Sequence, residues 1–294
     1  MQFKSGYVAI IGRPNVGKST LLNAILGEQL AIVTQKPQTT RHRITGILNQ
    51  QDAQIVFLDT PGYHESKKPL NQVMNEVVGK VIDDADVVCL MVEANQKDAE
   101  IEKELFDRIG AERSIIVVNK ADKVNRDRYE KIAQHYKNEW NAKELVILSA
   151  LKNEGVITLV DAIKGHLPQG EPFFPDDIYT THPMRFIAAE LIREQVFLQM
   201  QQEIPYSAAV RIEEYKDATE ENPVTLIKAA IIIEKESQKG MVIGKGGDRI
   251  KEIGKKARLK IEELVGSKVY LELFVKVEEN WTKDSGKIRE LMGV

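Results

Sequence analysis

The sequence predicts an α/β domain with a mainly parallel sheet and helices on both faces, followed by a smaller α+β domain. Three observations carry this. Over residues 1–166, short apolar β-branched runs alternate with segments of helical period, as βα units on a parallel sheet require. Between 167 and 183 the alternation stops in a stretch holding Pro168, Pro172, Pro175 and Pro183, which reads as a semi-rigid linker and not a helix. After it the order of periods becomes helix, strand, strand, helix, helix, strand. The 294 residues suffice for two domains that each bury a core. The predicted division is 1–170, a linker over 171–183, and 184–294.

Each element follows from local pattern. Tyr7–Ile11 is apolar and β-branched, a strand; Thr20–Leu26, closed by Gly27, has a helical pattern. His42–Leu48 runs into the polar Asn49-Gln50-Gln51-Asp52 and then into the strand Gln54–Leu58. That is a hairpin, so one edge strand should be antiparallel. Helical patterns over 72–83, 98–109, 126–140 and 156–166 alternate with the apolar runs at 87–92, 114–118 and 145–148. In the second domain Met184, Ile187, Ala188, Leu191 and Ile192 share one helix face. Strand patterns follow over 207–215 and 225–235, then a glycine turn at 244–247. Ile250, Ile253, Ala257, Ile261 and Leu264 recur at helical spacing before a strand over 268–277 and a short terminal helix. No internal repeat or low-complexity tract interrupts the pattern.

Composition restricts the class. Net charge is −3, so bulk charge announces no nucleic-acid partner. The single cysteine, Cys89, lies in the apolar run 87–92 and reads as core, with no disulfide framework and no zinc-ligand spacing. No signal-peptide pattern and no apolar span of about 18 residues occurs. The expectation is a soluble, cytoplasmic protein whose membrane contact, if any, is peripheral.

Gly12-Arg13-Pro14-Asn15-Val16-Gly17-Lys18-Ser19 fits G-x-x-x-x-G-K-[ST] between a strand and a helix. The glycines let backbone N–H groups converge on phosphate oxygens, and the helix N-terminus adds unpaired donors and a positive dipole end. The predicted nucleotide contacts here are Gly12, Asn15, Val16, Gly17, Lys18, Ser19 and Thr20. Lys18 can reach the β- and γ-phosphates, and the Ser19 hydroxyl can bind Mg²⁺. Asp59-Thr60-Pro61-Gly62 closes a strand, placing a carboxylate to hold Mg²⁺ and the Gly62 N–H to sense the γ-phosphate. Thr40, in the polar Thr39-Thr40-Arg41, could complete the Mg²⁺ shell when a third phosphate is present. Ser19, Thr40 and Asp59 form the predicted metal set. Lys18, Thr40 and Gly62 form the predicted catalytic set. The segments carrying Thr40 and Gly62 would then be switches, ordered by γ-phosphate and released on hydrolysis.

The base is read elsewhere. Asn119-Lys120-Ala121-Asp122 follows the strand Ser114–Val118. The Asp122 carboxylate can accept from the N1–H and N2–H₂ edge of guanine, a donor pair that adenine lacks. Asn119 can bond the N7/O6 side, the Lys120 stem can lie along the base, and Ser149-Ala150-Leu151 can offer a backbone N–H to O6. A base that leaves a buried carboxylate unpaired is rejected. The implied ligands are GTP and GDP with Mg²⁺.

The second domain carries Val242-Ile243-Gly244-Lys245-Gly246-Gly247, then Arg249, Ile250 and Lys255. A G-x-x-G turn between helices lets the backbone approach a nucleic-acid strand and clamp about four nucleotides beside an apolar groove. From Lys239 to Lys260 eight basic residues face two acidic ones, a local footprint that the net charge conceals. These nine residues from Val242 to Lys255 are the predicted RNA contacts, and single-stranded RNA is favoured over duplex.

The five nucleotide-binding motifs, in this order, resemble those of the TRAFAC-class GTPases. With Gly-Lys-Gly-Gly in a type II KH pattern, the whole chain resembles the Era family of bacterial, hydrophobic-substituted GTPases. The resemblance implies a P-loop GTPase domain followed by a KH domain, with slow GTP hydrolysis. It implies binding to the 3′ end of 16S rRNA and the 30S subunit in small-subunit assembly, peripheral contact with the inner membrane face, and a monomer. It also bears on catalysis. Tyr63 stands where Ras-like enzymes carry a water-orienting glutamine, so a nearby side chain or the backbone must take that task. Asn15 matches an asparagine that holds potassium in related GTPases, where the ion stands in for an arginine finger; the alternative is that Asn15 only shapes the loop. The rival reading of the whole chain is an RNA-binding assembly protein with a structural nucleotide site and negligible hydrolysis.

Overall fold

The structure is a computed structural model describing residues 2–34, 36–66, 68–96 and 99–293. It divides into two compact units. The first takes in 2–33, 40–66 and 74–181, and the second 34, 36–39, 68–73 and 182–293.

The first unit runs β1 (Lys4–Gly12), α1 (Lys18–Leu26), β2 (Ile44–Asn49), β3 (Ala53–Asp59), α2 (Pro69–Asp84, whose residues 69–73 fall in the second unit) and β4 (Val87–Glu93). It continues with α3 (Glu100–Ile109), β5 (Ser114–Asn119), α4 (Asp127–Glu139), β6 (Glu144–Ile147) and α5 (Val156–His166). The expected start of α3 at 98 lies outside the described residues. The six strands stand in the order β2-β3-β1-β4-β5-β6. Every described pair is parallel except β2–β3, the predicted hairpin. Strands β3 and β5 are buried along their whole length, which is why their sequences are continuous apolar runs and not alternating ones. Register aligns the strand ends: Ile10 pairs with Asp59, Gly12 with Met91, and Glu93 with Asn119. Gly12, Asp59 and Asn119 therefore share the carboxyl edge of the sheet, where open α/β sheets place ligands. Trp140 packs edge-on against Tyr136 at 4.7 Å and tilted against Phe106 at 5.5 Å. Cys89 is fully buried, and burial pushes its thiol up to about 12.

The proline-rich stretch does not dangle. Gln54 accepts from the Phe173 and Phe174 N–H groups at 2.7 and 3.0 Å and donates to Phe174 O at 2.7 Å. Ile47 N–H donates to Tyr179 O at 2.8 Å, and Thr180 Oγ1 to Thr45 O at 2.7 Å. Part of the free edge of β2 is thus satisfied, and the segment as far as 181 belongs to the first unit. The prolines prevent a helix, while side chains distant in sequence anchor the segment.

The second unit runs α6 (Met184–Gln199), β7 (Ala209–Lys216), β8 (Val224–Ile233), α7 (Glu236–Ile243), α8 (Asp248–Val265), β9 (Lys268–Val277) and α9 (Ser285–Met292). Its sheet is β7-β8-β9, with β7–β8 antiparallel and bulged between Ile212 and Glu214, and β8–β9 parallel. Helix α6 packs on α8 and β7. The core holds Ile187, Val196, Ile231, Ile253, Ile261 and Trp281, each at most 3% exposed. The Trp281 indole N–H is satisfied by Ser207 O at 3.0 Å. Both tryptophans therefore serve packing, as their apolar surroundings suggest.

Candidate functional site

Residues 12–19 leave β1 and enter α1 through three positive-φ positions. Gly12 has φ 150, Asn15 φ 61 and Gly17 φ 107. A Cβ on Gly12 would lie 2.6 Å from Met91 O, and one on Gly17 would collide with the Asn119 amide. Glycine is required at both places by contact as well as by dihedral. Gly62 is pressed against the same loop, since a Cβ there would lie 2.6–2.7 Å from Pro14 atoms. Lys18 turns back over the loop and donates to Gly12 O at 3.2 Å and Arg13 O at 3.0 Å.

The three residues expected to hold a cation come together. Ser19 Oγ donates to Asp59 Oδ2 at 2.7 Å and lies 2.7 Å from Thr40 Oγ1. Asp59 is fully buried, and its Oδ1 has no hydrogen-bond partner among the described residues. Burial raises the Asp59 carboxyl to about 6, against the pull of the Lys18 charge, the Ser19 hydroxyl and the Thr60 N–H. Burial lowers the Lys18 ammonium to about 8, opposed by Asp59. Both charges are under-compensated in the protein alone. A hard divalent cation on the oxygens and an anionic polyphosphate on Lys18 and the loop N–H groups would supply what each lacks. The oxygen-rich donor set fits Mg²⁺.

The base-reading segments are braced to the loop. Asn119 Nδ2 donates to Val16 O at 2.8 Å, and its Oδ1 accepts from Ala150 N–H at 3.0 Å. One amide thus ties together the loop, β5 and the segment after β6. Lys120 sits at φ 62, strained for a β-carbon residue, and its ammonium donates to Asn15 O at 2.7 Å and pairs with Glu93. Asp122 is exposed, with Ser149 Oγ donating to Oδ1 at 2.6 Å. Leu151 is exposed, and the contact expected of it is through its backbone N–H. Thr20 lies in the first turn of α1.

In the second unit Gly244, Gly246 and Gly247 all have positive φ, at 77, 64 and 82°. A Cβ on Gly244 would lie 2.8 Å from Arg249 Cβ, whereas one on Gly246 would meet nothing within 4 Å. The turn is tight on its inner side and open on its outer side. Arg249 donates to Met241 O at 2.8 Å and is exposed. Beside it runs a groove of about 440 Å³ lined by Ile250, Lys251, Gly254, Lys255, Arg258, Leu271 and Leu273. Its floor is apolar and its rim basic, as a strand with unstacked bases requires. Lys245 is exposed and Ile243 half-buried. Val242 is an exception among the expected contacts: it is fully buried, because the helical period of α7 turns it into the core. Its side chain supports the turn and cannot touch RNA.

Comparison with known proteins agrees with both halves of this geometry. A family described as 50S ribosome-binding GTPase matches residues 7–120, and a KH-domain family matches 203–282. GTPase Era of Geobacter metallireducens is 48% identical over 98% of this chain and 97% of its own. GTPase Era of Syntrophus aciditrophicus is 45% identical over 99% of this chain and 95% of its own. The chain belongs to the Era family of GTPases. A crystal structure of an Aquifex aeolicus Era variant bound to GDP and AlF₄⁻ superposes with TM-score 0.93 at 40% identity, covering 99% of each chain. Era in complex with MgGDPNP and nucleotides 1506–1542 of 16S ribosomal RNA superposes with TM-score 0.92, again at 40% identity and 99% coverage of both.

Several contacts of this Era-family site were silent in the sequence. Arg13 Nε lies 2.9 Å from the fully buried Glu102 of α3, tying the loop to that helix. Asn23 clamps the loop after α1, donating to Ala31 O at 2.8 Å and accepting from Ala31 N–H at 2.9 Å. Glu93 partners Lys120 from the end of β4. Tyr63 packs against the apolar core of the first unit, and its N–H donates to Gly12 O at 3.1 Å. None of these pairings leaves a spacing signal, and all but the Asn23–Ala31 clamp join segments far apart in the chain.

Proposed function

We propose that this Era-family GTPase binds the 3′ end of 16S rRNA, within the 30S subunit, through the basic groove of its second unit and acts in small-subunit ribosome assembly. The observation that supports this most directly is full-length similarity to Era in complex with MgGDPNP and 16S nucleotides, joined to an open glycine turn and a basic-rimmed groove in this chain. The family described by 50S binding covers only residues 7–120, so the full-length relative outweighs it on the choice of subunit.

In this reading Lys18 and the loop N–H groups hold the phosphates, while Ser19, Thr40 and Asp59 hold Mg²⁺, which neutralises phosphate charge when bound. The Gly62 N–H engages the γ-phosphate. Asn119, Lys120, Asp122 and the backbone at Ser149, Ala150 and Leu151 hold guanine. Asn15 adds a potassium ion near the phosphates. Hydrolysis should then run faster in K⁺ than in Na⁺ at equal ionic strength, and Asn15→Ala should erase the difference. A monomeric state and a peripheral contact with the membrane belong to the same reading. Both rest on the family resemblance; among the described residues no helix is long and apolar enough to cross a membrane.

The deciding experiment is single-turnover GTP hydrolysis with and without a 3′-terminal 16S fragment. Hydrolysis that changes with RNA supports a regulated enzyme. Tight RNA binding with no hydrolysis in either condition would favour the structural-nucleotide alternative.

A further inference from the structure

We propose that His64 is the catalytic residue that positions the attacking water, through its Nε2, in place of the glutamine that Tyr63 replaces. This rests on the reading of the first unit as a GTP-hydrolysing one. Tyr63 packs against the apolar core of the first unit, and a phenol does not offer the amide oxygen with which a glutamine holds water. The chain at this point is fixed over the phosphate loop: Gly62 abuts Pro14, and Tyr63 N–H bonds Gly12 O. His64 follows at once, and Asn75 of α2 fixes its backbone from both sides. The Asn75 Oδ1 accepts from His64 N–H at 3.1 Å, and its Nδ2 donates to His64 O at 2.7 Å.

The ring then carries an unmet need. Its Nε2 is buried and has no hydrogen-bond partner among the described residues. Leaving such an atom unpaired carries a desolvation cost that a bound water would remove. In the nucleotide-free protein, burial and then the nearby positive charge of Lys18 hold the imidazole below its ordinary pKa, which favours the uncharged ring. With the proton on Nδ1, Nε2 presents a lone pair. The Gly62–Pro14 and Tyr63–Gly12 contacts hold His64 in sequence beside the phosphate loop, and Lys18, the side chain expected on the β- and γ-phosphates, is near enough to act on the charge of the ring.

In the step, Nε2 accepts a hydrogen bond from water, whose oxygen lone pair forms the new bond to the γ-phosphorus. The bond from that phosphorus to the β–γ bridging oxygen breaks, its electron pair leaving with GDP. The water's surplus proton ends on the released phosphate or in solvent. His64 is unchanged over the cycle.

The test compares His64→Ala and His64→Gln with the parent in full-length protein. Three quantities are read: single-turnover GTP hydrolysis at saturation, affinity for GDP, and the gain in GDP affinity on adding AlF₄⁻. His64→Ala should slow hydrolysis about tenfold or more, the scale of one hydrogen bond lost from the transition state, with GDP affinity within about twofold. It should also lose the AlF₄⁻-dependent gain. His64→Gln keeps an acceptor and should recover part of the rate. Unchanged hydrolysis in His64→Ala would overturn the assignment. So would a parallel fall in GDP affinity and rate in both variants, the mark of a residue that only shapes the loop. A parent that hydrolyses no GTP would instead overturn the GTPase reading beneath it.

Discussion

In the proposed reading Asp122 selects the base from an exposed position. Its Oδ1 accepts from Ser149 Oγ, which fixes the carboxylate without consuming both oxygens. Asp122→Asn exchanges an acceptor pair for an amide, so guanine loses a bidentate partner while xanthine gains a donor. The GTP-to-XTP affinity ratio should fall roughly ten- to a hundredfold, the worth of one bidentate pair at about 1–3 kcal/mol. Competition binding measures it, and an unchanged ratio would remove Asp122 from base selection. Asp59 makes a different prediction, about pH. In the Mg²⁺-free protein its carboxyl titrates at about 6, above roughly 3.9 for an unfolded aspartate. The folded state therefore holds the proton more tightly. The stability this contributes is full below about pH 4 and is lost as pH rises to about 6. Urea unfolding of parent and Asp59→Asn across pH 4–7 should show the parent losing on the order of 2 kcal/mol relative to the variant over that window. A difference that is flat in pH would mean that burial does not control Asp59.

The glycine turn before α8 separates folding from binding within one element. Gly244 and Gly246 look alike in sequence, yet a Cβ fits only at the second. Gly244→Ala should destabilise the second unit by about 1–3 kcal/mol, from positive φ and a clash with Arg249 together. Gly246→Asp should cost about 1–2 kcal/mol in fold but weaken RNA binding strongly, because its side chain and charge occupy the open outer side. Lys255→Ala should weaken binding mildly and lower the salt slope by about 0.7, one single-strand phosphate contact. Thermal unfolding beside RNA titration at several salt concentrations distinguishes the three; equal RNA affinities in parent and Gly246→Asp would move the interface elsewhere. The same element shows what a sequence discloses. The G-x-x-G turn and the helix after it are legible because backbone sterics and period 3.6 are local. That Val242 points inward is also periodic information, outweighed at the sequence level by its place beside the turn. Strands β1, β3 and β5 were legible because burial on both faces forces apolar runs. The docking of residues 171–181 was not, because it depends on Gln54, Asn49 and Ile47 meeting a segment far along the chain. Nor was the Arg13–Glu102 pair, since a charged residue on an amphipathic helix reads as solvent-facing until the fold buries it.

At the scale of the whole molecule, the question is whether two units are one machine. Thr40 and the Asp59–Gly62 turn lie in the first unit, but each is covalently continuous with a short segment of the second, 36–39 before Thr40 and 68–73 after the turn. A γ-phosphate that orders Thr40 and Gly62 thus acts on chain that both units share. If that order differs between GDP and GTP, the two nucleotides hold different populations of one protein, and RNA that prefers one population must feel the nucleotide. Linkage makes the effect reciprocal: the factor by which a GTP analogue changes RNA affinity equals the factor by which RNA changes affinity for that analogue relative to GDP. Couplings of this kind are typically about 1–3 kcal/mol, or roughly 5- to 150-fold. The measurement is RNA affinity with GDP and with a non-hydrolysable GTP analogue, paired with nucleotide affinities with and without RNA. The two ratios should agree and differ from one, and in Gly246→Asp the coupling should fade with RNA binding while GTP affinity of the protein alone holds. Identical RNA affinities in both nucleotide states would mean that hydrolysis cannot gate RNA binding, leaving two independent modules joined by a chain.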